Sequence, residues 1–124
     1  MANSPAPGAP TISTHVLDAE RGAPAAGVHV TLYRLGEEGQ PIRVTQALTD
    51  DDGRVRDLLE RPLVAGDYRL EFTLASDRAD ADGLADPARF FRRLAIDLRI
   101  TDTGRSYHIP LLLAPFAMTT YRGS

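Results

Sequence analysis

Apolar and polar residues alternate with a period of two along most of the chain, and short stretches rich in glycine, proline and aspartate separate the alternating runs. That pattern belongs to strands with one buried face. The clearest run covers residues 67–75, where Tyr68, Leu70, Phe72 and Leu74 oppose Arg69, Glu71 and Thr73. Seven further strands are predicted over 12–18, 28–35, 42–49, 54–58, 90–100, 107–113 and 117–121. Asp50-Asp51-Asp52-Gly53 reads as a tight turn that delivers Arg54, because Asp and Gly accept left-handed backbone. Residues 19–27 are turn-rich, 36–41 form a hairpin loop, and 76–88 break the pattern, with Ser76 placed to cap one short helix before Gly83. Eight short strands and at most one short helix predict an all-β, two-sheet sandwich.

One strand departs from the half-buried pattern. Ile109-Pro110-Leu111-Leu112-Leu113 is apolar on both faces, so its outer face calls for a cover, and in a chain this short a second subunit is the expected one. Pro110 has no amide proton and is expected at a sheet edge or beside a bulge.

A chain of 124 residues suits one domain, taken here as residues 11–124 after a disordered tail over 1–10. The tail lacks the basic-then-apolar order of a secretory leader, and no run is long and apolar enough to span a membrane, so a cytoplasmic protein is expected. With no cysteine, disulfides, thiol catalysis and thiolate metal sites are excluded. A net charge of −3 argues against a nucleic-acid partner. All the basic side chains are arginines, which excludes lysine Schiff-base chemistry.

Three histidines occur, at 15, 29 and 108. Alternation puts His15 on a face with Ser13 and Leu17, His108 on a face with Pro110 and Leu112, and His29 on the outward face of its strand. From spacing alone, His15 and His108 read first as partly buried, hydrogen-bonded histidines. Zinc is the next alternative, but no close histidine pair, cysteine or Glu/His spacing supports it, and no metal or other cofactor is expected. Arg54 reads by itself as the partner of a neighbouring surface carboxylate. Tyr121-Arg122-Gly123-Ser124 reads as a frayed tail, although Arg122 carries a planar donor fork and Ser124 a hydroxyl and a terminal carboxylate. No nucleophile elbow, phosphate loop, dinucleotide fingerprint or HExxH helix is present.

Four segments taken together change this reading. Ser13-Thr14-His15-Val16-Leu17-Asp18, Asp52-Gly53-Arg54, Tyr107-His108-Ile109-Pro110-Leu111-Leu112-Leu113 and Tyr121-Arg122-Gly123-Ser124 resemble the signature of the 5-hydroxyisourate hydrolases, or transthyretin-related proteins. The resemblance runs from about residue 12 to 124, omitting the irregular stretch over 76–89. It implies a prealbumin/transthyretin-like sandwich of seven or eight strands. It also implies a homotetramer, a dimer of dimers, with active sites at the dimer-dimer interface. Carried over by position, the catalytic set is His15, Arg54, His108 and Ser124, with Arg54, Tyr121, Arg122 and Gly123 binding substrate. Ala114, Phe116, Ala117 and Met118 stand where the family more often has serine, tyrosine, glycine and tyrosine, and Arg92-Arg93 replaces the more usual Pro-Glu.

The implied reaction is metal-independent hydrolysis of 5-hydroxyisourate to 2-oxo-4-hydroxy-4-carboxy-5-ureidoimidazoline in urate degradation, by water attack on a ring carbonyl. The two histidines would activate water and move protons, in an order the sequence leaves open, and Arg54 would hold the developing oxyanion. The alternative is a non-catalytic small-ligand carrier of the transthyretin type, which has no need of a histidine pair facing an arginine.

Overall fold

The computed structural model describes residues 9–74 and 90–123. Among these residues there are nine strands and no helix: β1 (Ile12–Asp18), β2 (Ala23–Pro24), β3 (His29–Leu35), β4 (Pro41–Leu48), β5 (Arg54–Val55), β6 (Gly66–Thr73), β7 (Arg93–Ile100), β8 (Tyr107–Ala114) and β9 (Ala117–Thr120). One sheet runs β2-β1-β8-β9, with β5 also paired to β1, and the other runs β4-β3-β6-β7.

The core draws on both sheets, as the alternation requires. Ile12 and Val16 of β1, Val30 and Leu32 of β3, Leu70 and Phe72 of β6, and Leu111 and Leu113 of β8 are fully buried in one cluster. Each such side chain contributes about 1.5–3 kcal/mol relative to an exposed one. All pairings are antiparallel except that of β1 with β8, which is parallel and sets Ser13 opposite His108 and His15 opposite Pro110. Buried Thr14 pins this register by donating its hydroxyl to the Ile109 carbonyl at 2.6 Å.

The strand count exceeds the expected eight by β2, two residues inside the stretch read as turn. The Ala25 amide donates to the Val16 carbonyl at 3.0 Å, drawing this segment onto the edge of β1. β5 is shorter than the expected 54–58. The Asp57 carboxylate accepts from the Leu59 amide at 2.8 Å and from the Thr11 hydroxyl, turning the chain so that Leu58 and Leu59 enter the core outside any ladder. β7 starts at Arg93 rather than at residue 90, and Phe90 is exposed. His29, expected on the surface, is half-buried. Apart from Ala9 and Pro10, the expected tail lies outside the described residues, as does the short helix proposed after Ser76.

The apolar β8 segment needs less cover than its sequence suggests. Of its two outward residues, Pro110 is buried by the chain itself and only Leu112 is half-buried. Nor does Pro110 lie on an edge strand. Leu111 faces Thr120 and His108 bridges Gly123, so the register sets Pro110 opposite Tyr121, where the β9 ladder has already stopped. The missing proton thus coincides with a gap in the ladder.

The Asp50–Gly53 turn is held by its own backbone. The Asp50 carboxylate accepts from the Asp52 and Arg54 amides, both at 2.9 Å. Its pKa is lowered, chiefly by the Arg54 amide. Gly53, with φ at 78°, passes its carbonyl to the Val16 amide at 2.7 Å. A Cβ at Gly53 would overlap the Val16 carbonyl oxygen. Gly53→Ala is therefore expected to cost about 1–3 kcal/mol through backbone strain and steric overlap. Thermal melting checks this, and an unchanged Tm would contradict the packing described.

Candidate active site

The outer face of the β1–β8 sheet gathers polar side chains that alternation turns away from the core. β1 presents Ser13 and His15 there, β8 presents His108, and β5 presents Arg54 opposite His15. Both histidines and Arg54 are half-buried. Ser13, Arg54, Arg56 and His108 line a depression of about 140 Å³.

Each imidazole has one nitrogen committed. The His15 Nε2 lies 2.8 Å from the Asp52 carbonyl. A carbonyl only accepts, so Nε2 carries a proton and a neutral His15 keeps its lone pair on Nδ1. His108 is the reverse, with Nδ1 at 2.9 Å from the Ser13 hydroxyl. Arg54 does not form the surface ion pair that its acidic neighbours suggest. Arg56 takes that part, 3.7 Å from Asp52, and among the described residues the Arg54 guanidinium has no ion-pair or hydrogen-bond partner.

Burial pushes the His108 pKa below its ordinary value of 6.5, and the charges of Arg54 and His15 push it further. The first effect arises because a half-dry site disfavours the imidazolium, the second because like charges repel. The consequence is a neutral imidazole at neutral pH, capable of accepting a proton. Beside it stands a guanidinium that stays charged and can hold an oxyanion. Among the described residues no group of three or more histidines, aspartates or glutamates comes together as a metal site.

The tail divides at the gap beside Pro110. Gly123 returns to β8, its amide donating to the His108 carbonyl at 2.7 Å. Tyr121 and Arg122 line a different cavity, of about 310 Å³, with Tyr107, Ile109 and residues of β7. In the single chain, then, Arg54 lies opposite His15 and lines one depression with His108, and Gly123 bonds back to His108, whereas Tyr121 and Arg122 line the other cavity. Ser124 lies outside the described residues. Sequence reasoning passed over Ser13 and the Asp52 carbonyl. Ser13 shares a face with His15 two positions away, but its contact with His108 depends on the β1–β8 register, which local alternation does not carry.

Residues 12–123 match the HIUase/Transthyretin family. The chain is 42% identical over 120 residues to a protein of Deinococcus radiodurans named 5-hydroxyisourate hydrolase, covering 94% of this chain and 98% of that one. The structure resembles that of Klebsiella pneumoniae 5-hydroxyisourate hydrolase with a TM-score of 0.75 and 34% identity, over 93% of this chain and 99% of that one. It also resembles sea bream transthyretin in complex with thyroxine, with a TM-score of 0.75 and 26% identity, over 90% and 93% of the two chains.

The electrostatics of the face can be tested without any ligand. In an NMR titration His108 is expected to have its midpoint below 6.5, and Arg54→Gln is expected to raise that midpoint by removing the nearby positive charge. A midpoint that ignores the substitution would separate Arg54 from the ring.

Proposed function

Since the chain belongs to the HIUase/Transthyretin family, we propose that it hydrolyses 5-hydroxyisourate, without a metal, at the face shared by His15, Arg54 and His108. The observation that carries this reading is the placing of two half-buried imidazoles, committed through opposite nitrogens, on one sheet face with Arg54, whose guanidinium has no ion-pair partner among the described residues.

In the mechanism we favour, His108 is the base. Neutral at working pH, it takes a proton from water through Nε2 as the water oxygen attacks a ring carbonyl. Arg54 holds the oxyanion that forms, an interaction whose loss typically costs about 3 kcal/mol of barrier. The ring C–N bond then breaks, and the proton returns from His108, directly or through His15, to the departing nitrogen. The product is the ring-opened carboxylate 2-oxo-4-hydroxy-4-carboxy-5-ureidoimidazoline. Ser124 would orient water or substrate, a role supported by the tether of the preceding residue, Gly123, to the His108 carbonyl. Gly123 would complete the substrate pocket, and Tyr121 and Arg122, which line the separate cavity in the single chain, would join it only across the subunit interface.

We further propose a homotetramer, a dimer of dimers in which this face lines the interface. Leu17 and Leu112 stay half-exposed beside the histidines, and Phe116, at the β8–β9 turn, is 82% exposed. The rival reading is a carrier, favoured by the likeness to thyroxine-bound transthyretin. A carrier would gain nothing from a neutral base poised beside a guanidinium.

Ultraviolet absorbance of freshly generated 5-hydroxyisourate distinguishes the two. The protein is expected to accelerate its decay, and His108→Ala to lose about 10²- to 10⁴-fold of that rate. The acid limb of kcat/KM is expected below pH 6.5, because the lowered pKa keeps the base unprotonated to lower pH. Decay at the same rate with and without protein would sink the hydrolase and leave the carrier.

A further inference from the structure

We infer that Ser13 is the positioning residue of this site: its hydroxyl accepts from Nδ1–H of His108 and so presents Nε2, lone pair outward, to the depression. The inference rests on the reading of His108 as the base and adds what makes it one.

The ring is held on two sides. Ser13 is the register partner of His108 across the parallel β1–β8 ladder, and its Oγ lies 2.9 Å from Nδ1. On the opposite edge of the imidazole, Cδ2 lies so close to Gly123 that a Cβ there would come within 3.0 Å of it. Nδ1 and Cδ2 flank the carbon that joins the ring to the chain. With both engaged, the ring can present only its outer edge, Cε1 and Nε2. A flipped ring would exchange Nδ1 for Cδ2 and turn a carbon toward the hydroxyl, forfeiting the hydrogen bond.

The direction of that bond decides the chemistry. If Ser13 donated to Nδ1, the neutral ring would carry its proton on Nε2 and could not act as a base there. The surroundings favour the other tautomer. The depression that His108 lines is also lined by Arg54 and Arg56, and guanidinium groups only donate. Arg56 is paired with Asp52, but the charge of Arg54 acts on the ring, and it stabilises a lone pair on that side and repels an N–H. The proton therefore belongs on Nδ1, where the serine oxygen receives it. The same oxygen strengthens its hold when the ring becomes an imidazolium, since a charged donor makes the stronger bond.

Nitrogen-15 NMR of His108, recorded above its titration midpoint, tests the inference without substrate. The wild type is expected as the Nδ1–H tautomer, Ser13→Ala as a mixture of both, and Ser13→Thr, which keeps a hydroxyl, as the wild-type form. In turnover, Ser13→Ala is expected to lower kcat about tenfold with KM changed less than about twofold, and Ser13→Thr to recover most of the loss. A wild-type ring protonated on Nε2, or a tautomer that ignores Ser13→Ala, would overturn the assignment. Full activity in His108→Ala would instead remove the base reading, and the tautomer measurement would still decide whether Ser13 holds the ring.

Discussion

The functional face depends on the parallel pairing of β1 with β8. Two segments some ninety positions apart are brought side by side there, and every short distance between their polar side chains follows from the register. Because side chains alternate, a slip of one residue would bury His108 and expose Ile109. A slip of two would keep the faces but carry Ser13 off the His108 ring. The register is fixed from inside, where Thr14 donates to the Ile109 carbonyl. It is bracketed at the ends by Tyr107 N–H to the Thr11 carbonyl and Ala19 N–H to the Leu113 carbonyl. Breaking any of these would strand a buried polar group, which costs about 1–3 kcal/mol. Ser13, His15 and His108 are thus positioned by a buried hydroxyl on the far side of the sheet and by backbone bonds at the ends of the ladder.

Arg54 reaches the same face by a different device. β5 is only two residues long, too short to hold an arginine by its own ladder. The Asp50–Gly53 turn does the holding, with one carboxylate gathering amides and one glycine laid against the Val16 backbone. In the acidic run that precedes Arg54, Asp50 is spent on backbone and Asp52 on Arg56, so among the described residues the Arg54 guanidinium has no ion-pair partner. An arginine paired with a carboxylate would already have satisfied the donors that an oxyanion requires.

Much of the scaffold was legible in the alternation of apolar and polar positions. β1 keeps its expected limits, and β3, β4, β6 and β8 differ by one or two residues at their ends. What alternation could not carry was anything set by distant partners. β2 exists because Val16 offers a carbonyl at an open edge, and β5 stops early because Asp57 turns the chain. Neither cause is visible in a local window. His15 and His108 could be placed on outward faces, but nothing in their spacing brought them together, and four separated segments had to be recognised jointly as a family signature. Ser13, though placed on the His15 face, was given no role for the same reason, and a serine in a strand carries no mark of its own. Pro110 was expected at a sheet edge or beside a bulge, yet it lies in an interior strand, at the point where β9 gives way to the tail.

The arrangement balances two opposing effects on one imidazole. Burial depresses the His108 pKa, and the positive charge that would suit Arg54 to an oxyanion depresses it further, which keeps the ring neutral and ready but weakens it as a base. The charge of His15 lowers it as well. Ser13 acts in the other direction, because a hydroxyl accepting from Nδ1–H favours the protonated ring more than the neutral one. In the proposed reaction, negative charge growing on the substrate oxygen would offset the repulsion between Arg54 and the forming imidazolium. The part of the penalty that comes from Arg54 would therefore fade as the reaction proceeds, and such a differential between resting and transition states is what lowers a barrier.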